Sequence, residues 1–221
     1  MGEDYELEIV TERPWFGYAH YLGGLRTRVS VNVDLQFSAA DLVMLMSHEI
    51  YGGHHLHRVW QEVELVHGQG RLERTLDLLW SPEAVVSEGI AQIGPELVAG
   101  GDAQRLAAAV LGRVGFEYDA EVGSRVAEAR RLLTPVAANL AMLIHDRGAS
   151  DGEARAYAAE WTHQPDDRLD KMVRNQRESS SPGYQHCYWQ GEELVGGWVR
   201  GDAARFRRLL TARVLPTELA A

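Results

Sequence analysis

Several features that define whole classes of protein are missing from this sequence. Its 221 residues include a single cysteine, Cys187, which excludes an intramolecular disulfide and favours a reducing compartment. No stretch approaches the roughly 18 apolar residues of a membrane span. Residues 1–10 also lack the basic and apolar regions of a signal peptide. These absences predict a cytoplasmic protein without membrane contact.

Positive charge is also scarce. Lys and Arg number 22 against 32 Asp and Glu, which gives a formal net charge of −10, and no Lys/Arg cluster stands out. Nucleic acid is therefore a poor partner, because it attracts basic surfaces. The composition, 45% hydrophobic and 24% charged, is that of a globular protein. We expect one domain over residues 1–221, although two helical subdomains flanking a cleft also fit the length.

The apolar pattern predicts a mainly α-helical fold with a small β edge element. Residues 5–10 and 28–33 alternate with period two and are predicted to be strands, the second an edge strand along the substrate cleft, with an aromatic loop over 14–24 between them. Ser38 is a typical N-cap for a helix that runs into residues 48–49. Further helices are predicted from 54 to 60, from 82 to about 100, over 102–147 with breaks near 115 and 135, and over 152–163, 166–178, 192–199 and 202–214. The chain thus divides into a strand and loop region (1–37), candidate metal-site helices (38–100) and a helical C-terminal part (101–221).

A group of histidines surrounds two glycines at the end of the first predicted helix, where residues 48–55 read HEIYGGHH. In the HExxH zinc motif, two histidines one turn apart bind the metal and the adjacent Glu polarises its water. Here Gly52 takes the place of the second histidine, so the strict motif is absent. A regular helix places His55 on the face of His48 but about 10 Å further along the axis. A kink at the double glycine can bring His54 or His55 back toward His48, and we prefer His54, with His55 as the alternative.

Catalytic zinc needs a third protein ligand, and a carboxylate on another helix is the expected type. Glu88 lies among small and apolar residues, where an ionised side chain needs a cation or a donor. Glu83 and Glu96 are competitors with weaker local support. His57 is expected to lie outside the ligand set. The predicted zinc ligands are therefore His48, His54 (or His55) and Glu88, with Glu49 as the general base.

These segments resemble the bacterial domain-of-unknown-function family 885, whose members carry a His-Glu-x-x-Pro-Gly-His-His motif and belong with the HExxH-type metallopeptidases. Residues 48–55 fit that motif except that Gly52 replaces its proline. Residues 88–91 resemble the family's Glu-Gly-x-Ala segment, 182–191 resemble a third segment, and 206–216 loosely resemble the closing stretch. Together these blocks span most of the chain.

The resemblance implies a zincin-like helical metallopeptidase domain and a zinc-dependent hydrolase. It supports His48, Glu88 and either His54 or His55 as metal ligands and Glu49 as base. Family members are usually longer, so the chain resembles their catalytic C-terminal half. We therefore expect a homodimer in which the second subunit supplies the other wall of the cleft.

The predicted reaction is hydrolysis of a small peptide or peptide-like metabolite by metal-activated water, with Glu49 as general base. Tyr188 is the first candidate to donate to the developing oxyanion, and His186 is the second. Four arginines are candidates to recognise a substrate carboxylate, although surface ion pairs are the more common use of such residues: Arg26, Arg28, Arg174 and Arg177.

Two other functions are consistent with the same residues. Two histidines and a carboxylate also form the facial triad of non-haem iron oxygenases, although an oxygenase does not need a general base such as Glu49 beside a ligand. The change from proline to Gly52 is also compatible with a degenerate, metal-free scaffold that binds peptides or partners.

Overall fold

The computed structural model describes residues 2–13, 15–34, 37–179 and 182–220, and in these the chain is mainly helical with one small sheet. The strands are β1 (Asp4–Val10), β2 (Gly17–Gly23) and β3 (Arg26–Asn32). The helices are α1 (Ala39–Glu49), α2 (His54–Gln61), α3 (Pro82–Val98), α4 (Ala103–Arg113), α5 (Ala120–Leu133), α6 (Pro135–His145), α7 (Asp151–Thr162), α8 (Asp166–Glu178), α9 (Gln185–Val199), α10 (Ala203–Thr211) and α11 (Pro216–Leu219). None of these helices is long and apolar enough to cross a membrane.

The sheet has the order β1-β3-β2, with β3 parallel to β1 and antiparallel to β2. Two predictions were therefore wrong: the aromatic segment is largely the strand β2, and the strand predicted at the edge, β3, is central. Pro14, at the start of the predicted loop, lies outside the described residues. The aromatic residues of β2 suit a strand, and the two turn residues between β2 and β3, Gly24 and Leu25, both have φ of 63°.

Helix α1 begins as predicted, because Ser38 forms a capping box with Asp41: each side chain bonds the backbone N–H of the other. The predicted interruption at Gly52 and Gly53 is also confirmed, and α2 resumes at His54. Helix α2 continues as a π-helical segment (Glu62–His67).

The C-terminal half agrees with most of the predicted helices, but the helix predicted over 202–214 ends at Thr211, and the short helix α11 was not predicted. The breaks predicted near Gly115 and Pro135 separate α4, α5 and α6. The helix predicted to start at Glu192 begins seven residues earlier, at Gln185. This prediction was wrong because the aromatic residues after Pro182 belong to the first turns of α9, where tertiary packing outweighs their moderate helix propensity. Ser180 and Ser181, between α8 and α9, lie outside the described residues.

Helices α3 and α9 make the closest helix pair. A Cβ atom on Gly89 would lie 2.3 Å from the backbone oxygen of Gly191, and one on Gly191 would lie 2.4 Å from that of Val85. Only glycine permits this approach. One hydrophobic core joins these helices to the C-terminal segment: Val86, Ile90, Val195, Val199, Phe206, Leu209, Leu210, Val214 and Leu219. The α3–α9 pair is thus a fixed frame for side chains that project from both helices.

Candidate metal centre

The turn between α1 and α2 brings the predicted ligands together. Gly52 has φ of +149°, in a region that side chains rarely adopt. A Cβ atom on Gly53 would lie 1.5 Å from the backbone oxygen of His48, and one on Gly94 of α3 would lie 1.6 Å from that of Gly52. The turn therefore folds back on α1 and presses against α3. As a result, the rings of His48 and His54 lie 4.9 Å apart between centroids.

Three side chains form the candidate metal centre: His48, His54 and Glu88. His48 Nε2 lies 3.4 Å from Glu88 Oε2, and His54 Nε2 lies 3.6 Å from Glu88 Oε1. One ligand atom from each residue falls within 4.8 Å of the other two. Donors about 2.1 Å from a tetrahedral ion lie about 3.4 Å from one another, so the spacing fits a small divalent cation.

His55, the alternative ligand, faces the sheet instead. It is 1% exposed, its Nδ1 lies 2.7 Å from Thr27 Oγ1, and its Nε2 lies 2.6 Å from Glu3 Oε2. Both ring nitrogens are therefore occupied outside the metal centre. Of the two histidines, the structure brings only His54 to His48 and Glu88.

The competing carboxylates also have other partners. Glu83 forms ion pairs with Arg74 and Arg213, and Glu96 accepts a hydrogen bond from the backbone N–H of Ala103. Neither belongs to the group of potential ligands found among the described residues.

Electrostatics keep Glu88 ionised. Burial alone raises the pKa of its carboxyl group, but the neighbouring imidazoles of His54 and His48 outweigh burial, so the pKa lies well below its usual range. For His54, burial lowers the pKa, but the charge and hydrogen bond of Glu88 outweigh burial, so the pKa of His54 is raised. Within the described part of the chain, Glu88 Oε2 is buried without a hydrogen bond. A cation is the partner that such an ionised oxygen lacks.

Glu49 lies beside the centre with one oxygen unused. It is 5% exposed, and the backbone N–H of Ala19 in β2 donates a hydrogen bond to it. Its Oε2 atom is buried with no hydrogen-bond partner in the described ranges. Burial raises the pKa of Glu49, and the nearby His54 and His48 offset only part of this effect. A buried carboxylate with a raised pKa and a free oxygen has the character of a general base.

Two tyrosines of the α9 region, Tyr184 and Tyr188, lie beside the candidate metal centre. Tyr184 Oη donates a hydrogen bond of 2.5 Å to Glu88 Oε1, and its ring packs edge-on against Tyr188 at 5.7 Å. Burial raises the pKa of both phenols, so both stay protonated. Tyr188, the predicted oxyanion donor, lines the cleft, whereas His186 is absent from its described lining. Tyr184 was missed, although it precedes Tyr188 by one helical turn.

The centre lies in a cleft of about 1450 Å³. One part of its wall is apolar and aromatic: Trp15, Phe16, Tyr18, Phe37, Leu78 and Trp80. Helix α8 contributes Arg168, Lys171 and Asn175, which share a face at helical spacing. Arg168 and Lys171 form no ion pair with any described residue. The cleft thus offers an apolar surface and, on α8, two cations without a described ion-pair partner.

None of the four arginines predicted to recognise a carboxylate belongs to the described lining of this cleft. Arg28 pairs with Glu6 and Arg177 pairs with Asp151, each across the surface. Arg26 and Arg174 are exposed elsewhere. Arg28 and Arg177 therefore show the surface ion pairs that are the more common use of such residues. Helix and strand positions alone do not show which face borders the cleft.

No protein-family model, curated protein or solved structure matches the chain. The site therefore defines the class: a mainly helical protein with a His-His-Glu cluster able to hold a metal ion. Membership of family 885 stays a prediction.

Proposed function

We propose that the chain is a zinc-dependent hydrolase of the metallopeptidase type, acting on an amide bond in a small peptide or peptide-like compound. The observation that carries the proposal is the position of Glu49. Its unbonded, buried Oε2 lies beside three converging donors whose spacing suits zinc. Two histidines, one carboxylate and an adjacent base are the set that metal-assisted hydrolysis needs.

His48, His54 and Glu88 would hold the ion. When bound, zinc lowers the pKa of a water molecule to about 7 and polarises a carbonyl group. Tyr184, which donates to Glu88 Oε1, leaves the other oxygen of that carboxylate for the ion and fixes its orientation.

Glu49 moves the proton. Its Oε2 accepts a proton from the attacking water as the water oxygen adds to the carbonyl carbon. It then passes that proton to the amide nitrogen as the C–N bond breaks, which releases an acid and an amine. The raised pKa of Glu49 suits the first step, because the group is a better base than a solvated carboxylate. Transfer of the proton to the amide nitrogen then restores its ionised form.

Tyr188 is the proposed donor to the oxyanion. Tyr188→Phe is expected to lower kcat by about 10²–10³-fold with little change in zinc content, because it removes a hydrogen bond that strengthens in the transition state. Steady-state kinetics on a cleaved peptide would measure the loss. Tyr118→Phe removes a phenol that bonds Gln104, away from the cleft, and is the matched control. Equal kcat in Tyr188→Phe and wild type would leave Tyr188 with a packing role.

The cleft favours a substrate with an apolar group and a carboxylate. Its aromatic wall suits a bulky side chain, and Arg168 and Lys171 are cations without a described ion-pair partner. The role first assigned to other arginines therefore passes to these two.

Elemental analysis of the purified protein tests the metal site. We expect about one zinc per chain in wild type and in His55→Ala, and only traces in His48→Ala, His54→Ala and Glu88→Ala. His55→Ala is the internal control, since it removes an adjacent histidine that faces the sheet. Iron in place of zinc would support the oxygenase alternative. Little metal in wild type after zinc reconstitution would contradict the proposal and favour the metal-free scaffold.

A further inference from the structure

Buried polar side chains form a hydrogen-bond chain on the Nδ1 side of His54. Ser87 Oγ lies 3.3 Å from His54 Nδ1 and 3.4 Å from His57 Nδ1. His57 Nε2 lies 2.5 Å from Gln61 Nε2, and Gln61 Oε1 lies 2.6 Å from Arg74 Nη2. Because Ser87, His57 and Gln61 are buried, their hydrogen-bonding atoms depend on one another rather than on water.

The end of the hydrogen-bond chain farthest from His54, at Arg74, is fixed. The side chain of Arg74 is 7% exposed, and its Nη1 donates to Glu83 Oε2 at 2.6 Å. Arg213 in turn donates to Glu83 Oε1 at 2.8 Å. The guanidinium of Arg74 is therefore held in one orientation toward Gln61.

Arginine sets the direction of the hydrogen bonds, because a guanidinium only donates. The atom of Gln61 that faces Arg74 must be the carbonyl oxygen, so the amide NH₂ group faces His57. An NH₂ group also only donates, and His57 Nε2 must therefore be unprotonated. The single proton of the neutral ring then lies on Nδ1, where it donates to Ser87 Oγ.

We infer that Arg74, Gln61 and His57 form a polarised chain that makes Ser87 the positioning residue for His54. Ser87 Oγ accepts from His57 with one lone pair and from His54 Nδ1–H with the other. In this arrangement the hydroxyl hydrogen of Ser87 points away from both imidazole rings. A proton on His54 Nδ1 leaves Nε2, which faces Glu88, free to bind a cation.

This inference rests on the proposed metal site, but the direction of the hydrogen bonds in the hydrogen-bond chain can be measured without metal. Long-range ¹H–¹⁵N spectra of the metal-free protein report which nitrogen of His57 carries the proton, with His57→Gln used to assign the signal. We expect Nδ1 to be protonated in wild type. Gln61→Glu replaces the NH₂ donor by an acceptor, so Nε2 should become protonated. Gln104→Glu, a buried glutamine outside the chain, should leave the His57 signal unchanged. A protonated Nε2 in wild type would overturn the inference.

Zinc affinity, measured by competition with a chromogenic chelator, tests the positioning role. Ser87→Ala is expected to weaken binding by about 10–100-fold. Gln61→Glu should keep the affinity within about threefold. In that variant His54 donates to Ser87, Ser87 donates to His57, and His57 donates to the new carboxylate, so His54 keeps its orientation. A merely structural role would not separate these variants in this way. Unchanged affinity in Ser87→Ala would contradict the inference while leaving the metal site intact. Absence of zinc binding in wild type would contradict the proposed function, and the His57 spectra would still test the chain.

Discussion

Glu49→Gln is expected to lower kcat by about 10²–10⁴-fold while zinc content stays at the wild-type level. The variant keeps the shape of the side chain but loses the oxygen that takes a proton. The ligand set lies on other residues, with the nearest ligand atoms supplied by His48, His54 and Glu88. The amide of the variant can still accept the hydrogen bond from Ala19, so the fold around the site should persist.

A library of internally quenched peptides would supply the substrate, and kcat would be compared at matched zinc content. Glu12→Gln is the matched control, because Glu12 lines the same cleft at its exposed rim. It should retain kcat within about twofold, as expected for a surface substitution outside the catalytic set. Wild-type kcat in Glu49→Gln would exclude Glu49 as the base and with it the proposed mechanism.

The sequence predicted which residues approach one another at the candidate site and favoured His54, but it left His55 open as an alternative. The HEIYGGHH segment contains the donors, and the double glycine indicates a kink. The direction of the kink depends on Gly94, which lies on α3 and contacts the backbone of Gly52. A contact between residues 42 positions apart leaves no local pattern, so His54 and His55 remained alternatives until the fold was known.

The partners of the cluster were harder to predict. Tyr184 reaches Glu88 because α3 and α9 approach closely through Gly89 and Gly191. Ser87 instead contacts His54 and His57 of α2. Small residues at a helix crossing show that backbones can approach, but a single sequence does not show which helices pair. The contacts of Tyr184 with Glu88 therefore required the tertiary structure.

The strand β2 illustrates a different limit. Its sequence, GYAHYLG, has glycine at both ends and no β-branched residue, so it favoured a loop when considered alone despite its two tyrosines. Pairing with β3 overrides that local preference, since β2 aligns with residues 26–31 across an antiparallel ladder. The consequence reaches the candidate site, because the Ala19 N–H that holds Glu49 belongs to this strand.

Gly53→Ala is expected to have the largest effect on the fold of the site. The added Cβ would lie 1.5 Å from the backbone oxygen of His48, and backbone cannot turn aside as a flexible side chain can. The turn must therefore open, which moves His54 away from His48. We expect a loss of stability of about 3 kcal/mol, corresponding to a fall in Tm of about 6–12 °C for a chain of this size. Zinc content should fall to traces.

Gly112→Ala is the matched control for this substitution. Gly112 lies in α4, and a Cβ atom there would meet nothing within 4 Å. Alanine at this position should raise stability by about 0.5–1 kcal/mol and leave zinc content unchanged, because it only removes the conformational freedom of glycine. Calorimetry and elemental analysis on both variants separate the two effects. If Gly53→Ala keeps wild-type Tm and zinc content, the close turn that joins His48 to His54 is wrong. If both fall while Gly112→Ala gains stability, this turn is what assembles the metal centre.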